Sequence, residues 1–244
     1  AFETQKLSGL KLNLSRLHMY ADDPLLAPLY EVCEEHNKPI MFHAGYSWEP
    51  DTPSKYSEPI LFEDVAVNYP NLRFCLAHMG WPWWEETIMM LMKYPNVYAD
   101  TSMVYMDSPR NYYSHLFSVN MNLNWLQNCF QDKVMFGSNN PRFRHVRSLD
   151  GILNLPLRED VKKAILGENA IKGFCICAAE LQKWKDGMHN GVKDENGAIV
   201  GKISDTTAGI YLRCCRAVWN RCVHEGYLKD VPYPFSNKKE KGLV

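Results

Sequence analysis

Five short apolar runs, each closed by a polar residue and separated by helical patterns, set the limits on how this chain can fold. They are Gly9-Leu10-Lys11-Leu12-Asn13, Ile40-Met41-Phe42-His43, the segment Leu72 to His78, the segment Asn96 to Thr101, and Val134-Met135-Phe136-Gly137-Ser138-Asn139. Runs of this length and composition read as strands buried on both faces. The first helix between them is equally legible. Asp22-Asp23-Pro24 supplies start chemistry, and apolar residues at 25, 26, 29, 30, 32 and 33 predict a helix from Leu25 to His36. Further helices are expected at Glu58 to Asn68, Trp83 to Met92, Met121 to Cys129, Arg158 to Leu166, and from Ala170 to Phe174. The polar, aromatic stretch between Ser102 and Met121 reads as a loop.

Strands alternating with helices imply parallel βαβ units, and right-handed crossovers put the C-terminal end of every strand on one face. That face is expected to collect Asn13, His43, His78, Thr101 and Asn139. Two histidines at neighbouring strand ends suggest metal or proton-transfer chemistry, because neutral imidazole serves both. No nucleophile elbow and no glycine-rich phosphate loop is present; Gly137-Ser138-Asn139 lacks the G-x-S-x-G pattern.

Composition removes several function classes. A formal charge of −1 leaves no electrostatic footprint for nucleic acid or an anionic membrane. No apolar run approaches the roughly 18 residues of a membrane span, and Ala1 to Lys11 has no secretory pattern. The eight cysteines include no C-x-x-C pair, so they do not form a zinc framework. Cys33 and Cys75 lie in apolar patterns and read as buried thiols, which fits a reducing, cytoplasmic setting.

After Phe174 the character changes to a charged stretch. A short hairpin is expected around Gly197 to Ile203, and Asp205-Thr206-Thr207 caps a predicted helix running to about Tyr227. The chain therefore divides into residues 1–174, a parallel α/β portion, and 175–244, a mainly helical extension with its helix near 205–227.

Several motifs in fixed order carry a family resemblance. They are Gly9-Leu10-Lys11-Leu12, Pro39 through His43-Ala44-Gly45, Tyr69-Pro70-Asn71-Leu72-Arg73-Phe74 through His78-Met79-Gly80, Tyr94-Pro95-Asn96-Val97-Tyr98-Ala99-Asp100-Thr101-Ser102, Phe136-Gly137-Ser138 and Gly167-Glu168-Asn169-Ala170. Together they resemble the amidohydrolase-related metal-dependent (β/α)8 barrels, the branch with aminocarboxymuconate-semialdehyde and hydroxybenzoate-type decarboxylases alongside hydrolases. The resemblance implies an α/β fold of TIM-barrel type, with these five strands matching the fourth to eighth.

The resemblance also implies roles. His43 matches the metal ligand on the fifth strand, and His78 the sixth-strand histidine that handles protons near the metal. Asn139 falls where the family has an aspartate on the eighth strand, in Gly-Ser-Asn-Asn-Pro rather than Gly-Ser-Asp-x-Pro. The implied cofactor is a divalent metal, zinc above all, bound weakly or not at all if the site is incomplete. The family's first-strand H-x-H pair has no counterpart here. A barrel of this type takes about 250 residues and eight strands, so five of eight units are expected in this chain.

Around these positions, Trp48 and Trp81 follow the histidine strands and are expected to line a substrate pocket. Arg142 is placed to meet a substrate carboxylate bidentately. The substrate class implied is small carboxylic acids or lactones, taken by hydrolysis or by decarboxylation. The alternative is a catalytically inactive barrel remnant serving as a structural or interaction subunit. An open arc exposes an edge and an apolar layer, so oligomerisation, the tail or a second chain is expected to cover it. An N-terminal segment absent from this chain or encoded separately is the third possibility.

Overall fold

In the computed structural model, the described residues are 8–103, 105, 108–140 and 142–174, with the strand pairs 192–193 and 199–200. Gly9–Phe174 forms one compact unit. Its strands are β1 (Leu10–Leu12), β2 (Ile40–Phe42), β3 (Phe74–Leu76), β4 (Val97–Asp100) and β5 (Val134–Met135). They lie side by side in chain order and every pair is parallel. This is the α/β architecture of a TIM-barrel arc.

Register sorts the strand residues into two rows, because successive side chains point to opposite faces. One row, Leu12, Phe42, Leu76, Ala99 and Val134, is aligned across all five strands and lies in the buried core. Phe42 meets Tyr30, Phe62 and Phe74 edge-on or tilted at ring separations of 4.8–6.0 Å. The other row runs Lys11, Met41, Cys75, Tyr98 and, two residues on, Asp100 beside Met135. Phe174 packs on this second row against Cys75, Met135 and Tyr98.

The helices are α1 (Leu14–Leu17), α2 (Ala27–Glu35), α3 (Glu63–Asn68), α4 (Trp84–Lys93), α5 (Pro109–His115), α6 (Leu123–Asn128), α7 (His145–Leu153), α8 (Glu159–Lys163) and α9 (Asn169–Phe174). A 3-10 turn at Pro24–Leu26, capped by the Asp23 carboxylate on Leu25 N–H, feeds α2 as the sequence predicts. Asn37 takes a left-handed φ of 51° just past its end, a conformation asparagine tolerates.

The structure corrects the reading of 102–121 as loop. Ser108 caps α5, Pro109 occupies its first turn, and a π-helical stretch continues from Leu116 to Asn120. Pro at the first helical position needs no N–H donor there, so this proline starts a helix instead of breaking one. The strand predicted to reach His78 ends at Leu76, and Ala77–Gly80 forms a tight turn. The strand predicted through Asn139 ends at Met135.

Beyond Phe174, Val192–Lys193 pairs antiparallel with Ile199–Val200, so the hairpin closes earlier than its expected place around Gly197 to Ile203. The helix expected near 205–227 lies outside the described residues. Cys33 and Cys75 are buried free thiols, as expected. Burial pushes the Cys33 thiol up to about 11 and raises Cys75 well above the usual thiol range, which keeps both protonated and unreactive. Among the described residues, no helix is long and apolar enough to cross a membrane.

Candidate active site

Two loops that follow neighbouring strands build the centre of the site. His43 comes directly after β2, its N–H still in the ladder with Leu12 O at 2.7 Å. His78 sits in the turn after β3 with a left-handed φ of 65°, and Met79 follows at 51°. Left-handed backbone costs a non-glycine residue about 1–2 kcal/mol. Here the Asp100 carboxylate holds it, accepting the His78 N–H at 2.9 Å. The turn aims the imidazole sideways, so that His78 Nε2 lies 3.2 Å from His43 Nδ1.

The other nitrogen of His78 faces Ser102, with Oγ at 2.8 Å and the backbone carbonyl at 3.1 Å. Ser102 in turn donates its N–H to Asp100 Oδ1 at 2.9 Å and its hydroxyl to the same oxygen. Asp100, Ser102, His78 and His43 therefore form one connected line of polar groups. Gly137 makes room for it. A Cβ there would stand 2.8 Å from Ser102 Cβ and 3.4 Å from Asp100 Cγ.

Both imidazoles are held neutral. Burial, then the neighbouring His78 and Lys11, pull the His43 pKa down to about 3. Burial also lowers His78, with Asp100 opposing the shift and Lys11 and Arg142 adding to it. His43 Nε2 is buried and has no hydrogen-bond partner.

An aromatic wall rises from the same two loops and from Tyr105, which follows β4. Trp81 stacks on Tyr105 at 4.1 Å and 16°, and Trp48 lies parallel to Tyr105 at 6.1 Å. Tyr46 stands edge-on to both tryptophans. Backbone bonds join the loops: Tyr46 N–H donates to Trp81 O, and Trp81 N–H to His78 O. Gly45, at φ 93°, permits this approach, since a Cβ would lie 2.4 Å from Trp81 O.

The family profile described as "Amidohydrolase" matches residues 1–174. The chain belongs to the amidohydrolase family. Its fold is also similar to an uncharacterized TIM-barrel protein from Bordetella bronchiseptica, at TM-score 0.55 and 24% identity, over 68% of this chain and 57% of that one. A second similar structure is a 5-carboxyvanillate decarboxylase from Novosphingobium aromaticivorans, solved with bound manganese and a nitrobenzoic acid. It gives TM-score 0.51 and 17% identity, over 70% of this chain and 58% of that one. Protein fluG from Emericella nidulans is 32% identical over 69 residues, 28% of this chain and 8% of fluG. This chain thus spans less than two thirds of each.

Within this member of the amidohydrolase family, the sequence-predicted residues have separate fates. His43 and His78 meet, and Trp48 and Trp81 gather on Tyr105. Arg142 is exposed, with its charge acting on His78 and Tyr105. Asn139 takes a left-handed φ of 54° and donates its amide to Met103 Sδ at 3.2 Å, not to either histidine. Asn13 and Thr101, placed by pattern on the active face, have other work. Asn13 caps α1, and the Thr101 hydroxyl bonds Gly137 N–H and O.

Two functional positions, Asp100 and Ser102, escape the pattern of strand ends. Alternation along β4 held the signal for Asp100, since Val97 and Ala99 are core residues and Asp100 shares the face of Tyr98. Tyr105 had no signal beyond its aromaticity.

The donor set fits a cation in part. The orphaned His43 Nε2 suits a borderline-soft divalent ion. Among the described residues, no group of three or more histidine, cysteine, aspartate or glutamate side chains could hold one.

Proposed function

We propose that this chain carries the histidine end of a metal-dependent hydrolase or decarboxylase site acting on small aromatic or unsaturated carboxylic acids or lactones. The observation that carries the reading is the 3.2 Å pairing of His43 and His78, whose loops also carry Trp48 and Trp81. His43 is the proposed ligand and His78 the proposed proton-handling group. A divalent cation, zinc by donor chemistry, would polarise the reacting group and lower the pKa of bound water. Asn139 offers a neutral amide oxygen where a carboxylate would bring charge and basicity, so any base work falls to His78.

A planar acid is suited to the wall of Trp48, Trp81 and Tyr105, and Arg142 is the proposed partner for its carboxylate. In hydrolysis, His78 accepts a proton as water attacks. In decarboxylation, a protonated group delivers one to the carbon that loses carbon dioxide. A screen of lactones and ortho-hydroxy aromatic acids with added zinc or manganese tests the reading. Carbon dioxide release selects the lyase, and lactone opening without gas selects the hydrolase.

A second reading, a non-catalytic arc acting as a structural or interaction subunit, is favoured by Asn139 and by the two-histidine donor set. Stoichiometric cation binding by this chain alone would count against it. The same reading makes the arc's open edge a docking place for a second chain or a further copy.

A further inference from the structure

The two nitrogens of His78 have unlike partners, and this difference fixes where the proton sits. Asp100 Oδ1 accepts three hydrogen bonds, from His78 N–H, Ser102 N–H and the Ser102 hydroxyl. A carboxylate oxygen only accepts, so the single Ser102 hydroxyl proton is committed to Asp100. What Ser102 Oγ then offers His78 Nδ1, at 2.8 Å, is a lone pair. The Ser102 carbonyl, at 3.1 Å, offers another. A bare Nδ1 would face two acceptors, and the hydroxyl would have to leave the carboxylate to relieve it.

We propose that Ser102, oriented by Asp100, is a positioning residue that fixes His78 as the tautomer with its proton on Nδ1, keeping the Nε2 lone pair aimed at His43. The consequence for chemistry rests on the reading of His78 as the proton-handling group. In the neutral ring Nε2 then presents a lone pair that can receive a proton, and no N–H. His43 donates Nδ1–H to it across 3.2 Å, which leaves the buried His43 Nε2 bare. One serine hydroxyl thereby sets the protonation of four ring nitrogens. The wrong tautomer would place two N–H groups, or an N–H and a cation, against each other.

The test needs no substrate. Two-bond nitrogen–proton correlation spectra of the 15N-labelled full chain at neutral pH report the tautomer, with His78 assigned by its loss in His78→Gln. Wild type is expected to show a single neutral ring protonated on Nδ1. Ser102→Ala leaves only the carbonyl as acceptor, and the tautomer ratio is expected to shift roughly 2- to 10-fold toward Nε2–H, the worth of one neutral hydrogen bond. Ser102→Thr, which keeps the hydroxyl, is expected to restore the wild-type pattern. A wild-type ring protonated on Nε2, or a Ser102→Ala ratio equal to wild type, overturns the proposal. Should Ser102→Ala fail to fold, the wild-type spectrum decides. An inactive substrate screen leaves these spectra untouched, so the two readings fail separately.

Discussion

His78 Nε2 and His43 Nδ1 lie 3.2 Å apart although the residues are 35 positions apart in the chain. Two parallel strands in register bring them to one end of the sheet, and a left-handed turn at His78 closes the last distance. The pairing makes the site sensitive to protonation, because two adjacent buried imidazoles cannot both carry charge cheaply.

Acid should therefore destabilise the fold through these rings. Both folded-state pKa values are depressed, His43 to about 3. Between pH ~6.5 and that value the unfolded chain binds more protons, so stability falls as pH falls, by up to about 1.4 kcal/mol per pH unit for His43. Urea unfolding midpoints between pH 7.5 and 4 measure the slope. In His43→Gln that slope should flatten by about one proton; an unchanged slope would place the acid sensitivity elsewhere.

Gly137→Ala should disturb Ser102 and through it His78. The added Cβ lands 2.8 Å from Ser102 Cβ and 3.2 Å from its backbone nitrogen. Overpacking of this kind costs about 1–3 kcal/mol. Denaturant titration gives the loss, and the imidazole spectra give the displacement. Wild-type stability together with an unaltered His78 spectrum would show that the contact is easily relieved.

Replacing Asn139 by aspartate restores a charged oxygen donor. Zinc and manganese affinity measured calorimetrically should rise at least tenfold in Asn139→Asp and disappear in His43→Ala. Where turnover is detectable, a gain of about 10²–10⁴ is the scale for supplying a general base. Equal affinities in the wild type and Asn139→Asp would mean that the side chain at 139, now turned to Met103, does not reach the ion.

Tyr105→Ala should open the aromatic wall. The Trp81–Tyr105 stack is worth about 0.5–1.5 kcal/mol beyond burial, and its loss should shift and broaden tryptophan emission. Binding of planar aromatic acids should weaken by up to roughly tenfold, with little change for aliphatic acids of equal charge. Equal weakening of both would argue that the wall supports the loops and does not touch the ligand.

Deep packing on the second row can be probed at Phe174, 7% exposed against Cys75 and Met135. Phe174→Ala should cost about 3–5 kcal/mol and leave the His43–His78 spectra intact, since its packing partners are Cys75, Met135 and Tyr98 and not the imidazoles. Thermal unfolding and the imidazole spectra together separate the two effects.

Strand and helix alternation, the five strand positions, the α2 start signal and the two histidines were legible because they depend on local periodicity and on residue type at a strand end. Five parallel strands in chain order follow from the same pattern through the handedness of crossovers. The residues that orient His78 were not legible in that way. Thr101 stood at the expected strand end, while the work fell to Asp100 and Ser102 on either side. Helix α5 was hidden by aromatic and polar residues whose buried members, Tyr112 and Tyr113, face the core only once the fold exists.

By itself, the sequence determined which segments pair and which end of the sheet carries histidines, since burial and chain connectivity act residue by residue. Tertiary structure alone decided that His78 turns left-handed onto Asp100, that Ser102 meets its ring from 24 positions away, and that Tyr105 completes the wall of tryptophans. Those contacts depend on strand register and on loop closure to within about an ångström. A one-residue slip would send Asp100 to the opposite face and leave His78 without its anchor.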